Sequence, residues 1–198
     1  GIMAKPSEDQ PFGNLLPFML MNESGNSNDM LPLLFLSQGN NATVNPLVLY
    51  VPLHMILEDQ GYFEALAQQQ AVCAVLPRIV HDGEIPALKQ AMVNLKELGV
   101  REVLVGNLGL LVPAQECDMG IRGDFSLNLY NSGSMNTARQ MELLSATLSF
   151  EMKLAQIRDV SKAVPCELLV YGRLPLMLTE NCIIRGKTGT CTCNTSPA

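Results

Sequence analysis

The sequence predicts an α/β fold: a partial parallel β/α (TIM-like) barrel of about six strand–helix units, with an irregular N-terminal extension. Apolar, β-branched-rich runs recur roughly every 20–28 residues, the length of one strand–helix unit. The runs are near-continuously apolar, as parallel strands buried on both faces require, whereas half-exposed antiparallel strands alternate. The stretches between them carry apolar residues at helical spacing. An open doubly wound sheet has the same periodicity and stays open as the alternative.

Residues 1–45 are rich in Asn, Ser, Gly and Pro, with apolar islands at Leu15–Met21 and Leu31–Leu36. They read as an extension or the remnant of a preceding domain, the islands packing as short strands or as an arm onto a neighbour. The barrel segment is expected over 46–182, with strands at Val48–Leu53, Ala71–Val80, Val100–Val105, Phe125–Leu129, Ala146–Phe150 and Glu167–Tyr171. Between the second and third, Ile85, Leu88, Met92, Leu95 and Leu98 form one helical stripe. Asp82 is placed to cap that helix, Pro86 suits its first turn, and Gly99 suits the left-handed position past its end. A further helix is expected through Leu154, Ile157, Val160 and Val164, entered by Ser149 or Glu151 and closed before Pro165. Residues 183–198 form a cysteine-containing tail.

A chain of 198 residues suits one domain, and with 47% hydrophobic and 16% charged residues it can bury a sizeable core. Trp is absent and 11 Met are present, so aliphatic and thioether side chains must fill that core. A net charge of −6 argues against this segment gripping a phosphate backbone. The six cysteines do not form the dense framework of a small secreted domain, and no secretory leader opens the sequence. The apolar runs are too short to span a bilayer, so no membrane partner is expected. A cytoplasmic location follows as the expectation, and the sequons at Asn22, Asn41 and Asn194 carry no weight.

In either architecture functional groups gather at the carboxyl ends of the strands. His54, Arg78, His81, Asp82, Gly106, Asn107, Asp124, Ser126, Asn128, Asn131, Ser149, Glu151, Gly172 and Arg173 fall there. Of these, Arg78, His81, Asp124, Asn128, Glu151 and Arg173 are the catalytic candidates. Each has a plain structural competitor: Asp82, Ser149 and Glu151 as helix starts, His81 as a turn residue, Asn128 and Asn131 as loop ties. The G-x-S-x-G elbow, H-E-x-x-H and a complete G-x-G-x-x-G are all absent. Gly186-Lys187-Thr188 resembles the end of a phosphate loop, but Asn181 stands where that loop needs its first glycine. Cys182, Cys191 and Cys193, spaced C-x8-C-x-C, are candidate ligands for an iron–sulfur cluster or, second, zinc. Cys166 or Cys73 would supply a fourth thiolate, and free tail cysteines are the bland alternative.

The segment Glu167-Leu-Leu-Val-Tyr171-Gly172-Arg173-Leu-Pro175-Leu-Met177, followed by Cys182, resembles the signature region of peptidase family U32, the collagenase-like peptidases. Asp124-Phe-Ser-Leu-Asn128-Leu-Tyr-Asn131-Ser132, Leu148-Ser149-Phe-Glu151, Leu76-Pro77-Arg78 and Val105-Gly106-Asn107-Leu-Gly109 fit the same family, and their order along 48–193 carries the weight. The resemblance is closest to the second, divergent region of the long members. The family's usual Ala-Gly-rich opening strand is absent, which implies a half-barrel belonging to a longer protein. It implies a barrel-like domain of a peptidase whose catalytic residues are unassigned, acting on peptides. Other members are RNA- or quinone-hydroxylation proteins with cysteine-bound iron–sulfur clusters, which implies Cys182, then Cys191 and Cys193, as ligands and RNA as the alternative substrate. A non-catalytic module docking on the remaining domains of its parent, or on copies of itself, is the third reading.

Overall fold

A computed structural model describes residues 15–18, 47–170, 178 and 183–189. Strands β1 (Leu15–Phe18), β2 (Leu49–Pro52), β3 (Val72–Val75), β4 (Glu102–Val105), β5 (Gly120–Gly123), β6 (Ser145–Thr147) and β7 (Cys166–Leu169) form one parallel sheet in the order β1-β7-β6-β5-β4-β3-β2. From β2 to β7 each strand therefore pairs with the next in the chain, and helices alternate with them. These are α1 (Leu53–Glu58), α2 (Gln60–Ala67), α3 (Ile85–Glu97), α4 (Leu111–Glu116), α5 (Ser132–Gln140) and α6 (Leu154–Asp159), with α7 (Ile183–Thr188) beyond β7. This is the expected partial parallel β/α barrel.

The curl of the sheet follows from one contact. Six flat strands would hold β2 and β7 about 24 Å apart at the usual strand spacing. Yet the Tyr50 hydroxyl on β2 lies 2.7 and 2.6 Å from the two carboxylate oxygens of Glu167 on β7. Only a strongly curved sheet brings those side chains together across its concave face.

Alternation along the strands then separates two environments. Val51, Val72, Ala74, Val103, Val105, Ile121, Ala146, Leu148 and Cys166 face outward and pack under the helices, against Met92 and Leu95 of α3, Ala114 of α4 and Met135 of α5. Tyr50, Cys73 and Leu104 face inward, flanked by Val48, Val75 and Leu169. The main apolar core thus lies between sheet and helices, and the concave face is left for polar groups.

Local departures from the sequence expectations have physical causes. Helix α3 carries its predicted stripe and stop, with Gly99 at φ +84°. It is entered through a 3₁₀ turn, Asp82–Glu84, and Asp82 makes no capping bond to it. The fourth strand is Gly120–Gly123 rather than Phe125–Leu129, where a 3₁₀ turn (Phe125–Leu127) forms and Leu129 alone bridges to Leu148. Two glycines hide that strand from propensity, and packing asks for both. A Cβ at Gly120 would lie 2.8 Å from Leu144 Cδ1, and one at Gly123 2.8 Å from Leu143 Cδ2. Helix α6 stops at Asp159, so Val160 and Val164 enter the core from irregular chain. Gly186, Lys187 and Thr188 lie in α7 and not in a phosphate loop. Of the two apolar islands, Leu15–Phe18 runs parallel beside β7, and 31–36 lies outside the described residues. Among the described residues no helix is long and apolar enough to cross a membrane.

Candidate functional site

Arg78 follows β3, Gly106 and Asn107 follow β4, and Asp124 and Ser126 follow β5, so three adjacent strands deliver their next residues to one point on the carboxyl-end rim. The Asp124 backbone N–H donates to Val105 C=O at 2.9 Å, which carries the β4–β5 ladder one step past the strands and fixes that carboxylate. Asp124 Oδ1 accepts from the Phe125 N–H at 2.8 Å, and Oδ2 accepts from Ser126 Oγ and Arg78 Nη2, each at 3.2 Å. Ser126 Oγ also lies 2.9 Å from the Gly106 carbonyl, so its single proton is shared between two acceptors.

The Arg78 guanidinium sits 4.4 Å above the Phe125 ring, which meets Phe150 edge to face at 5.5 Å. Asn107 ties the β3 and β4 loops together, donating to Arg78 C=O at 3.1 Å and accepting from the Gly109 N–H at 2.9 Å. Gly106 is required by space, since a Cβ there would come within 2.4 Å of Ser126 Oγ and 3.1 Å of Asp124 Oδ2. Burial pushes the Asp124 carboxyl above its ordinary range, outweighing the Arg78 charge and the hydrogen bonds that pull it down. The group opens onto a cleft of about 360 Å³ lined by Arg78, Asn107, Ser126, Leu108, Leu127 and Leu178.

A second polar cluster fills the concave face beneath the rim. Glu167 accepts from Tyr50, from Ser145 Oγ and, at 3.1 Å, from Arg122 Nη1. Arg122 also donates through Nε to Glu102 at 2.6 Å and through Nη1 to Ser145 at 3.0 Å. Register explains the gathering: Tyr50 pairs with Cys73, Cys73 with Glu102, Leu104 with Arg122, Arg122 with Ser145 and Thr147 with Glu167, so every second residue of six strands points inward. Burial and the neighbouring Glu167 carboxylate hold the Tyr50 phenol well above its usual range. Burial alone would lower Arg122, but its bonds to Glu102 and its other neighbours raise it further, so it stays charged. Thr147 Oγ1 is buried on the same face without a hydrogen-bond partner.

Arg78 and Asp124 are thus brought together, with Gly106, Asn107 and Ser126 from the same rim. The other candidates have local structural duties. His81 precedes the 3₁₀ turn, its N–H donating to Glu84 at 2.8 Å. Asn128 takes the left-handed conformation (φ 57°) that ends the turn after β5. Glu151 is exposed, and its N–H donates to Ser149 Oγ at 3.4 Å. Asn131 caps α5 through the Ser134 N–H at 2.9 Å. Arg173, Cys182, Cys191 and Cys193 lie outside the described residues. Sequence reasoning did not single out Tyr50, Glu102, Arg122 or Ser145. Glu102 and Glu167 carried the usable signal, because a carboxylate inside an apolar buried strand must find a partner.

The described cysteines do not form a ligand set. Cys73 faces the concave side and Cys166 the helices, so the two proposed fourth ligands point to opposite faces. Burial raises both thiols, Cys166 to about 11, which disfavours the thiolate that metals bind. Cys117 is half-buried with Sγ directed at Lys89 C=O at 3.8 Å. Among the described residues no group of His, Cys, Asp and Glu is arranged to hold a metal ion.

No curated protein and no solved structure matches the chain. Residues 60–194 match the family model described as peptidase family U32, a span that contains the rim from Arg78 to Ser126 and the interior Glu102, Arg122, Ser145 and Glu167. The match takes in well over half of the sequence, and on it the chain belongs to peptidase family U32.

Proposed function

We propose that this chain supplies the substrate-binding rim of a collagenase-like peptidase, with Asp124 as the group that accepts a proton from the attacking water. One observation carries the reading: a desolvated carboxylate, fixed by a guanidinium, a hydroxyl and a backbone N–H, lies directly behind the Arg78 and Ser126 side chains that line an open cleft at the carboxyl ends of three adjacent parallel strands. In the step proposed, water adds to the scissile carbonyl carbon as Asp124 takes its proton. The C–N bond then breaks, and that proton passes to the departing amine. Arg78 and Ser126 hold the carboxylate in place while it alternates between charged and neutral forms.

The test is cleavage of gelatin and of a mixed peptide library by purified protein, with Asp124→Asn beside it. Loss of about 10²-fold or more in kcat, with KM little changed, is expected of a removed general base. No cleavage by folded wild-type protein would overturn the hydrolytic reading. The family's redox precedent is checked on the same preparation. Iron with matching sulfide in anaerobically purified protein, lost in Cys182→Ala, would replace hydrolysis by cluster chemistry, and zinc alone would point to a metal-bound water.

A further inference from the structure

We propose that the rim cleft recognises a carboxylate carried next to an apolar group, and that Arg78 is the residue that reads it. The inference rests on the cleft being the substrate site and names the chemistry it selects. Arg78 has donors to spare: a guanidinium presents several N–H groups in a planar fork, and one bond, to Asp124, is accounted for. The plane is not free to turn, because it lies on the Phe125 ring and Phe150 supports that ring. A fixed fork facing a cleft suits a two-oxygen anion better than a lysine's single point charge would.

The setting strengthens the contact. The Arg78 side chain is 18% exposed, so an incoming carboxylate meets a partly desolvated partner rather than a screened surface charge. Asp124, 3% exposed, stands behind the guanidinium and engages it through Nη2, which holds the fork in place while its other donors remain for a ligand. Beside Asn107 and Ser126, the remaining walls are the aliphatic side chains of Leu108, Leu127 and Leu178. Leu108 is 63% and Leu178 47% exposed, and both border the same space as the guanidinium. Large aliphatic side chains grouped beside one cation form a two-part surface, one part for charge and one for a hydrocarbon group. A space of about 360 Å³ holds roughly one or two amino-acid residues, which fits a terminal residue better than the middle of a long chain.

Two sources carry this chemistry: the C-terminal residue of a peptide and a free small carboxylic acid. Binding of N-acetyl-leucine, N-acetyl-leucinamide and acetyl-Ala-Ala-Leu to the whole chain, followed by NMR or calorimetry, separates them. The acid is expected to bind at least about tenfold more tightly than the amide, because the amide leaves the guanidinium without its anion. Arg78→Gln should abolish that preference. As Arg78→Gln also removes the partner of a buried carboxylate, Leu108→Ser serves as a second variant at an exposed position. It should weaken N-acetyl-leucine while leaving acetate binding unchanged. A tripeptide acid tighter than N-acetyl-leucine identifies a peptide end, and equal affinities identify a small acid; both support the shared chemistry. Equal binding of acid and amide, or binding of neither, would overturn it. Acid preference without turnover would retain this inference and reject hydrolysis, whereas turnover of amide-capped peptides without acid preference would do the reverse.

Discussion

Replacement of Glu167 by leucine is expected to cost more stability than any other single change on the concave face. Its carboxylate is 2% exposed and accepts from Tyr50, Ser145 and Arg122 at once. Removing it takes the carboxylate acceptor from the Tyr50 and Ser145 hydroxyls, at about 1–3 kcal/mol for each lost bond. It also breaks one arm of a buried ion pair, a change that commonly costs about 3–5 kcal/mol. Arg122 keeps its 2.6 Å bond to Glu102, and the hydroxyls can rotate toward one another, so the sum is discounted to about 3–4 kcal/mol. That is roughly a fifth or more of the stability of an ordinary domain. Glu167→Gln preserves shape and one acceptor and should cost about half as much, and Tyr50→Phe about 1 kcal/mol. Urea unfolding followed by circular dichroism measures all three, and the Tyr50→Phe/Glu167→Gln cycle should return a coupling of about 1 kcal/mol. A Glu167→Leu protein within about 1 kcal/mol of wild type would show that the cluster does not act as a unit, and the reasoning would fall.

Other outcomes are as definite. The Asp124 carboxyl is raised on folding, so its contribution to stability is fully present below the unfolded value of about 3.9 and is lost as pH rises through its higher folded value. Measured against Asp124→Asn, wild-type stability should therefore fall as pH is raised from about 3.5 to neutral, and a rise would refute the assignment. Gly106→Ala forces Ser126 out of its bonds to Gly106 C=O and Asp124 and should cost about 1–3 kcal/mol, with part recovered by adding Ser126→Ala. Gly106→Ala without loss of stability would mean that Ser126 moves freely. Of Cys73, Cys117 and Cys166, iodoacetamide at pH 8 should label Cys117 first, as read by peptide mass spectrometry, because the other two are buried with raised thiols. Early labelling of Cys73 would show that the concave face is open to solvent.

The strand–helix rhythm was legible because burial on both faces writes itself into apolar runs, and α3 was legible because Leu88, Met92 and Leu95 all face one core. Strand β5 was not, since Gly120 and Gly123 are chosen for close approach by Leu144 and Leu143, side chains from the following unit. The run Ala71–Val80 overshot β3, which stops at Val75 shortly before Pro77, a residue without a ladder donor. At the rim, Arg78 and Asp124 were visible as polar residues after strands. Their pairing was not, because 46 residues separate them. The interior cluster was less visible still: Tyr50 reads as one more aromatic in a β run, and its partner Glu167 lies 117 residues away.

That long-range bond also bears on how the chain folds. Strands β3 to β7 each dock on their immediate predecessor, so the sheet from β2 onward can grow one unit at a time as the polypeptide emerges during synthesis, with short loops to close at every step. A structure built only of such neighbour contacts would behave like a repeat array, in which end units fray independently. The contact between Tyr50 and Glu167 breaks that independence, because it forms only when the first and last of the six units are both in place. It makes β2 wait on β7, and so turns a stack of locally stable units into one cooperative folding unit.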